Sequence, residues 1–122
     1  MNPPSELKRL YQADLNPDQQ ERLFESMAKT FARAIENRAP KNRPPGKAGL
    51  KAEKGYYRLL YLEGELLDKV RPAEGMSPAS TYHWDHLESI VGQMKDLPEL
   101  QTEILAALES ALDAVLHPSP PA

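Results

Sequence analysis

Cysteine is absent from the 122 residues. That alone removes thiol nucleophiles, zinc–thiolate sites and iron–sulfur clusters from the chemistry open to this chain. Residues that favour strands are also scarce. Threonine occurs only at Thr30, Thr81 and Thr102, valine and isoleucine are few, and aromatic residues make up 7 %. Pleated sheets draw on those residue types, so their scarcity points to an all-α chain. Glycine is limited to six residues, and none of them builds a phosphate cradle. The stretch "PPGKAG" lacks the G-x-x-x-x-G-K-[ST] spacing and a preceding strand, and no G-x-S-x-G elbow occurs. No stretch approaches the ~20 apolar residues of a membrane span. No apolar run follows Met1 in "MNPPSELKRL". No secretory signal is read there, and a cytoplasmic location without membrane contact is expected. A chain of this length forms one domain and buries a core without disulfides; the expected domain is 1–116, with 117–122 a disordered tail.

Proline, by contrast, is abundant: twelve residues, about twice the ~5 % average. Helix interiors reject proline, whereas the first helical turn accepts it. The gaps between prolines are therefore the candidate helices, and each shows helical periodicity. A short first helix is expected over about Ser5–Asp14, with Ser5 as N-cap and Leu7, Leu10 and Tyr11 on one face. A second opens at "NPDQQERLF", where Asn16 caps, Pro17 takes the first position and Gln19 completes a capping-box spacing. Its apolar face is Leu23, Phe24, Met27, Phe31, Ala34 and Ile35, and it stops before Pro40. A third covers roughly Ala52–Val70, a fourth runs from after "MSPAS" to about Lys95, and a fifth from Pro98 to near Leu116. The fold expected is a compact all-α bundle of four main helices plus a short N-terminal one. Two connections are long, a flexible basic loop from Pro40 to about Gly49 and "RPAEGMSPAS" at 71–80.

Charge is segregated along the chain. The net charge is −3, yet Lys29 to Arg58 holds nine basic residues and two acids, while Leu59 to the end holds three bases and eleven acids. A basic zone binds nucleic-acid backbones through Lys and Arg with release of counterions, and neighbouring tyrosines stack on unpaired bases. The residues expected to form such a site are Lys29, Arg33, Arg38, Lys41, Arg43, Lys47, Lys51, Lys54, Tyr57 and Arg58. The competing reading is that the lysines solubilise a loop and the acids pair with them internally.

Turning each residue by ~100° places Tyr56, Leu59, Leu66, Leu67 and Val70 on one face of the third helix, with Glu63 at its centre. A carboxylate there needs a partner. The same construction puts His83 within the face of the fourth helix formed by Trp84, Leu87, Val91 and Met94, with His86 at its edge. A metal set of Glu63, His83 and His86, or a catalytic Glu–His pair, follows from that placement. The Glu-x-x-His spacing of di-metal bundles is missing from "HWDHLE". No metal, cofactor or catalytic residue is therefore expected.

The composite expectation is a non-enzymatic helical accessory subunit. It would bind an RNA or single-stranded DNA backbone within a larger complex and meet a protein partner, or itself, through its acidic helices. The alternative is a protein–protein adaptor or small chaperone without nucleic-acid binding. A third reading, a metal-dependent bundle enzyme, stands on Glu63, His83 and His86 alone.

Overall fold

Five α-helices follow the proline punctuation in a computed structural model that describes residues 4–72 and 82–118, and no strand occurs among these residues. They are α1 (Ser5–Gln12), α2 (Pro17–Asn37), α3 (Lys47–Glu65), α4 (His86–Gly92) and α5 (Pro98–Leu116). A short 3₁₀ turn, Pro40–Asn42, lies between α2 and α3, and α3 runs on into a π-helical turn over Leu66–Val70. No helix of the described residues is long and apolar enough to cross a membrane.

The start of α2 is built as its sequence dictates. Asn16 Oδ1 accepts the Gln19 N–H at 2.8 Å, and Gln19 Oε1 accepts the Asn16 N–H at 2.9 Å. Two donors that the helix leaves without partners are thereby satisfied, with Pro17 at the position where a missing N–H costs nothing. Helix α1 departs from expectation. Pro4 holds the N-cap position, Ser5 makes no capping hydrogen bond, and the helix ends at Gln12. Leu7 and Leu10 are buried but Tyr11 is not.

Helix α3 begins at Lys47, five residues before the expected start, so the loop from Pro40 to Gly49 is shorter than its composition suggests. Gly46 turns the chain with φ 74°, a conformation that disfavours side chains, and its carbonyl accepts the N–H groups of Gly49 and Leu50. Gly49 sits inside the helix because a Cβ there would lie 2.1 Å from the Pro44 carbonyl oxygen. Helix α4 is two turns long rather than the expected four, since a turn over 93–96 ends it before Pro98 opens α5. The tail beyond Pro118 and most of the expected 71–80 connection lie outside the described residues.

Helix α2 is central and packs on both α3 and α5, while α1 lies on α5 and α4 lies against α5 and the π turn. One hydrophobic core runs through all five helices, with Leu23, Met27, Phe31, Leu59, Leu62, Leu66, Leu87, Met94, Ile104 and Leu108 among its innermost members. Gln20 is the buried polar residue of α2 and fastens the chain where it re-enters before α4. Its Oε1 accepts the Tyr82 N–H at 3.1 Å and the Trp84 indole N–H at 3.3 Å, and its Nε2 donates to the Leu15 carbonyl at 3.1 Å. Around it the Tyr82 ring stacks on Trp84, with centroids 5.5 Å apart, and lies against Phe24. The Arg71 guanidinium lies over Phe24.

The buried face of α3 is Gly55, Leu59 and Leu62, continued by Leu66 and Val70. Its centre is therefore Leu62, not Glu63, which is half-exposed. Counting Tyr56 and Leu67 as core residues swings the face toward Glu63, but Tyr56 is half-buried and Leu67 is exposed. His83 is likewise exposed rather than part of an apolar face, because α4 starts three residues later; its N–H donates to the Val70 carbonyl at 2.8 Å.

Candidate functional site

Four of the nine basic residues of the zone, Arg38, Lys51, Lys54 and Arg58, are matched by carboxylates from the acidic half of the chain. Lys51 and Glu99 approach to 3.3 Å, Lys54 and Asp96 to 3.0 Å, and Arg58 and Asp96 to 2.8 Å. Arg58 also donates to the Gln93 carbonyl. Arg38, at the end of α2, donates to the Ala34 carbonyl and to Glu103 at 2.9 Å, and its chain passes over Gly55. Lys41 pairs with Glu36 on its own side of the molecule. The Arg58 and Lys54 side chains hold the Asp96 carboxyl far below the usual aspartate range.

These contacts set the electrostatics of the surface. Lys47, Lys51, Lys54, Arg58 and Lys69 on α3 and its π turn stand beside Glu53, Glu63, Glu65 and Asp68 of the same segment. Asp96, Glu99 and Glu103 add further negative charge from the α5 side. A cavity of about 390 Å³ between the α2–α3 connection and the start of α5 shows the same balance, with Arg38 and Lys51 on its wall facing Glu99 and Glu103. The side of α3 toward α5 therefore carries at most a small excess of positive charge, whereas counterion-releasing contacts to phosphates call for a large one.

The rest of the ten expected residues fall elsewhere. Lys29 and Arg33 lie on the exposed back of α2, and Lys47 on the first turn of α3. None of the three has a carboxylate within 4.0 Å among the described residues. Arg43 donates to the Arg38 carbonyl at 2.9 Å and lies over the Tyr56 ring, 5.1 Å from its centroid. Tyr56 meets the Tyr57 ring edge-on, with centroids 5.3 Å apart. Tyr56 is thus engaged on both sides, whereas Tyr57 projects with 60 % of its surface exposed.

Tyr57 belongs to a stripe that charge counting does not reveal. Leu50 (67 % exposed), Tyr57 and Tyr61 (each 60 %) recur along the outer side of α3, with Leu60 (41 %) beside them. The intervals of seven and four residues keep Leu50, Tyr57 and Tyr61 in line on a helix. Lys54, Tyr57, Arg58, Tyr61 and Gln93 line a shallow groove along this stripe. The Tyr61 hydroxyl bonds to Glu65, which with Gln93 keeps that carboxyl below its ordinary value. The signal for Leu50, Leu60 and Tyr61 was present in the sequence as the second apolar face of α3.

Among the described residues no three His, Asp or Glu side chains converge into a metal-sized group. The His83 and His86 rings lie edge-on with centroids 6.2 Å apart. The arrangement as a whole is an all-α bundle with one helix presenting apolar and aromatic side chains outward. No protein-family model, no curated protein and no solved structure matches this chain.

Proposed function

We propose that the protein is a non-enzymatic helical adaptor that docks a protein partner through the outer face of α3. The observation that carries this reading is the exposure of Leu50, Tyr57, Leu60 and Tyr61 on one helix side. Scattered exposed leucines need no explanation, but contiguous apolar and aromatic residues on one helix mark interaction surfaces. Tyrosine is favoured there because it brings a large rigid ring and a polar tip at small entropic cost. The flanking Lys51–Glu99 and Arg58–Asp96 pairs form the polar rim such a surface calls for. The test is photo-crosslinking in cells from a benzoyl-phenylalanine placed at Tyr61 or, as a control, at Lys29. The expected outcome is a protein adduct from position 61 and none from position 29; no adduct from position 61 would end this reading.

A second reading keeps a nucleic-acid site along the exposed side of α2 and the connection to α3. It is favoured by Lys29, Arg33 and Lys47, which lack carboxylate partners among the described residues, with Lys41 and Arg43 nearby in sequence. Fluorescence anisotropy with single-stranded RNA and DNA at two salt concentrations tests it. Salt-sensitive binding that is lost when Lys29, Arg33 and Lys47 become glutamine supports it; no binding at low salt removes it.

A further inference from the structure

We propose that the occupant of the outer face of α3 is a second copy of this chain, the two α3 helices pairing antiparallel about a two-fold axis near Leu60. This inference rests on the reading of α3 as a protein-docking surface and goes on to name the partner. Three features of the helix favour it.

The first is spacing. Leu50, Lys54, Tyr57, Tyr61 and Gly64 follow one another at intervals of four, three, four and three residues. That alternation is the seam pattern by which one helix packs lengthwise on another. It lies opposite the Leu59–Leu62 face already used by the core, so α3 carries one seam inward and one outward.

Charge complementarity is the second. Beside the seam, on the α5 side, come Lys51, Arg58 and Glu65 in that order. A parallel pairing would set like against like at both ends. An antiparallel pairing about an axis near residues 58–60 brings the Lys51–Glu99 pair of each copy toward the Glu65–Lys69 pair of the other, so that opposite signs face each other. Arg58 then meets its own counterpart, each held by its own Asp96, a carboxylate that Lys54 shares. Tyr57 falls opposite the other copy's Tyr61, and Lys54 opposite its Gly64.

Gly64 is the third. It lies within α3, is exposed, and a Cβ added there meets nothing within 4 Å. A helix-interior glycine costs roughly 0.5–1 kcal/mol relative to alanine. Nothing among the described residues uses the space it leaves, whereas a long side chain crossing from a second helix would.

The surface available is also of suitable size. At 60 % exposure the four tyrosines of two copies, with Leu50 and Leu60, offer on the order of 1,000 Å² for burial. That is the lower end for specific interfaces, so a dimer that forms in a concentration-dependent way is expected.

The chain has no cysteine, so single cysteines can report the geometry. Leu60→Cys and Leu50→Cys alter exposed leucines and leave the core intact. In the antiparallel pair the two copies of position 60 face each other across an interhelical gap of about 8–10 Å. The two copies of position 50 stand roughly 28 Å apart at 1.5 Å per residue. With a bismaleimide of about 10 Å reach, the full-length protein is expected to crosslink efficiently as Leu60→Cys and not as Leu50→Cys. Sedimentation velocity of the wild type is expected to show a concentration-dependent dimer. Tyr57→Asp combined with Tyr61→Asp should weaken it at least tenfold while the helical circular dichroism is kept. Crosslinking of both cysteine variants, or a monomer throughout the micromolar range, would overturn the inference. The photo-crosslink at position 61 separates this failure from that of the docking reading. An adduct of twice the chain mass supports a second copy, and an adduct of another mass sinks the second copy while docking stands. No adduct sinks both.

Discussion

Gln20 shows how much one side chain can fasten. Replacing it with leucine leaves the Tyr82 N–H and the Trp84 indole N–H without the acceptor they share. Leaving buried donors unpaired costs about 1–3 kcal/mol. Urea unfolding should show a loss of that size, with amide exchange accelerated first around Tyr82 and Trp84. Nothing in the sequence marked Gln20 for this role, since the two donors its Oε1 accepts are more than 60 positions away. Asp96 offers a second test. Its carboxyl is held down by Arg58 and Lys54, so its share of stability is present above the ordinary aspartate range near 3.9 and is lost only as pH falls through its lower folded value. In an NMR titration Asp96 should therefore stay ionised well below pH 4, where ordinary aspartates take up protons. Arg58→Gln should move its midpoint back toward the ordinary range.

Among the elements, α3 differs from its sequence reading both in where it starts and in which face it buries. The capping box of α2 and the limits of α5 were legible because both ends of each carry local chemistry, Asn16–Pro17–Gln19 in one case and Pro98 in the other. The start of α3 was not. Pro44, Pro45, Gly46 and Gly49 have the composition of a loop, and only the close approach of Gly49 to the Pro44 carbonyl explains a glycine inside the first turn. The inward face was misplaced by about one position for a related reason. Tyr56 and Leu67 look like core residues by type, but Arg43 occupies one and solvent the other. Leu62→Ala should cost about 2–5 kcal/mol, as large-to-small changes in packed cores do. Glu63→Gln should stay within about 0.5 kcal/mol, as surface changes do. Chemical denaturation of the two variants side by side measures the contrast; a large loss for Glu63→Gln would restore the carboxylate to the core.

For the whole molecule the decisive feature is how charge segregated along the chain recombines in space. The sequence separates a basic centre from an acidic C-terminal half. Folding brings them together, so that Arg38, Lys51, Lys54 and Arg58 meet Glu103, Glu99 and Asp96. Segregation was legible from composition; its cancellation was not, because it depends on α3 lying beside the start of α5. What cancellation leaves uncovered is the outer face of α3, and its use as a docking surface is most directly tested by tyrosine footprinting. Tyr57 and Tyr61 are exposed in the isolated chain, so iodination read by mass spectrometry should modify both rapidly in dilute purified protein. In intact cells, and in lysate after nuclease treatment, both should be protected several-fold while Tyr11, on α1, keeps its reactivity. Equal reactivity of Tyr57 and Tyr61 in all three settings would contradict a docked α3, and protection that disappears with nuclease would assign the face to nucleic acid.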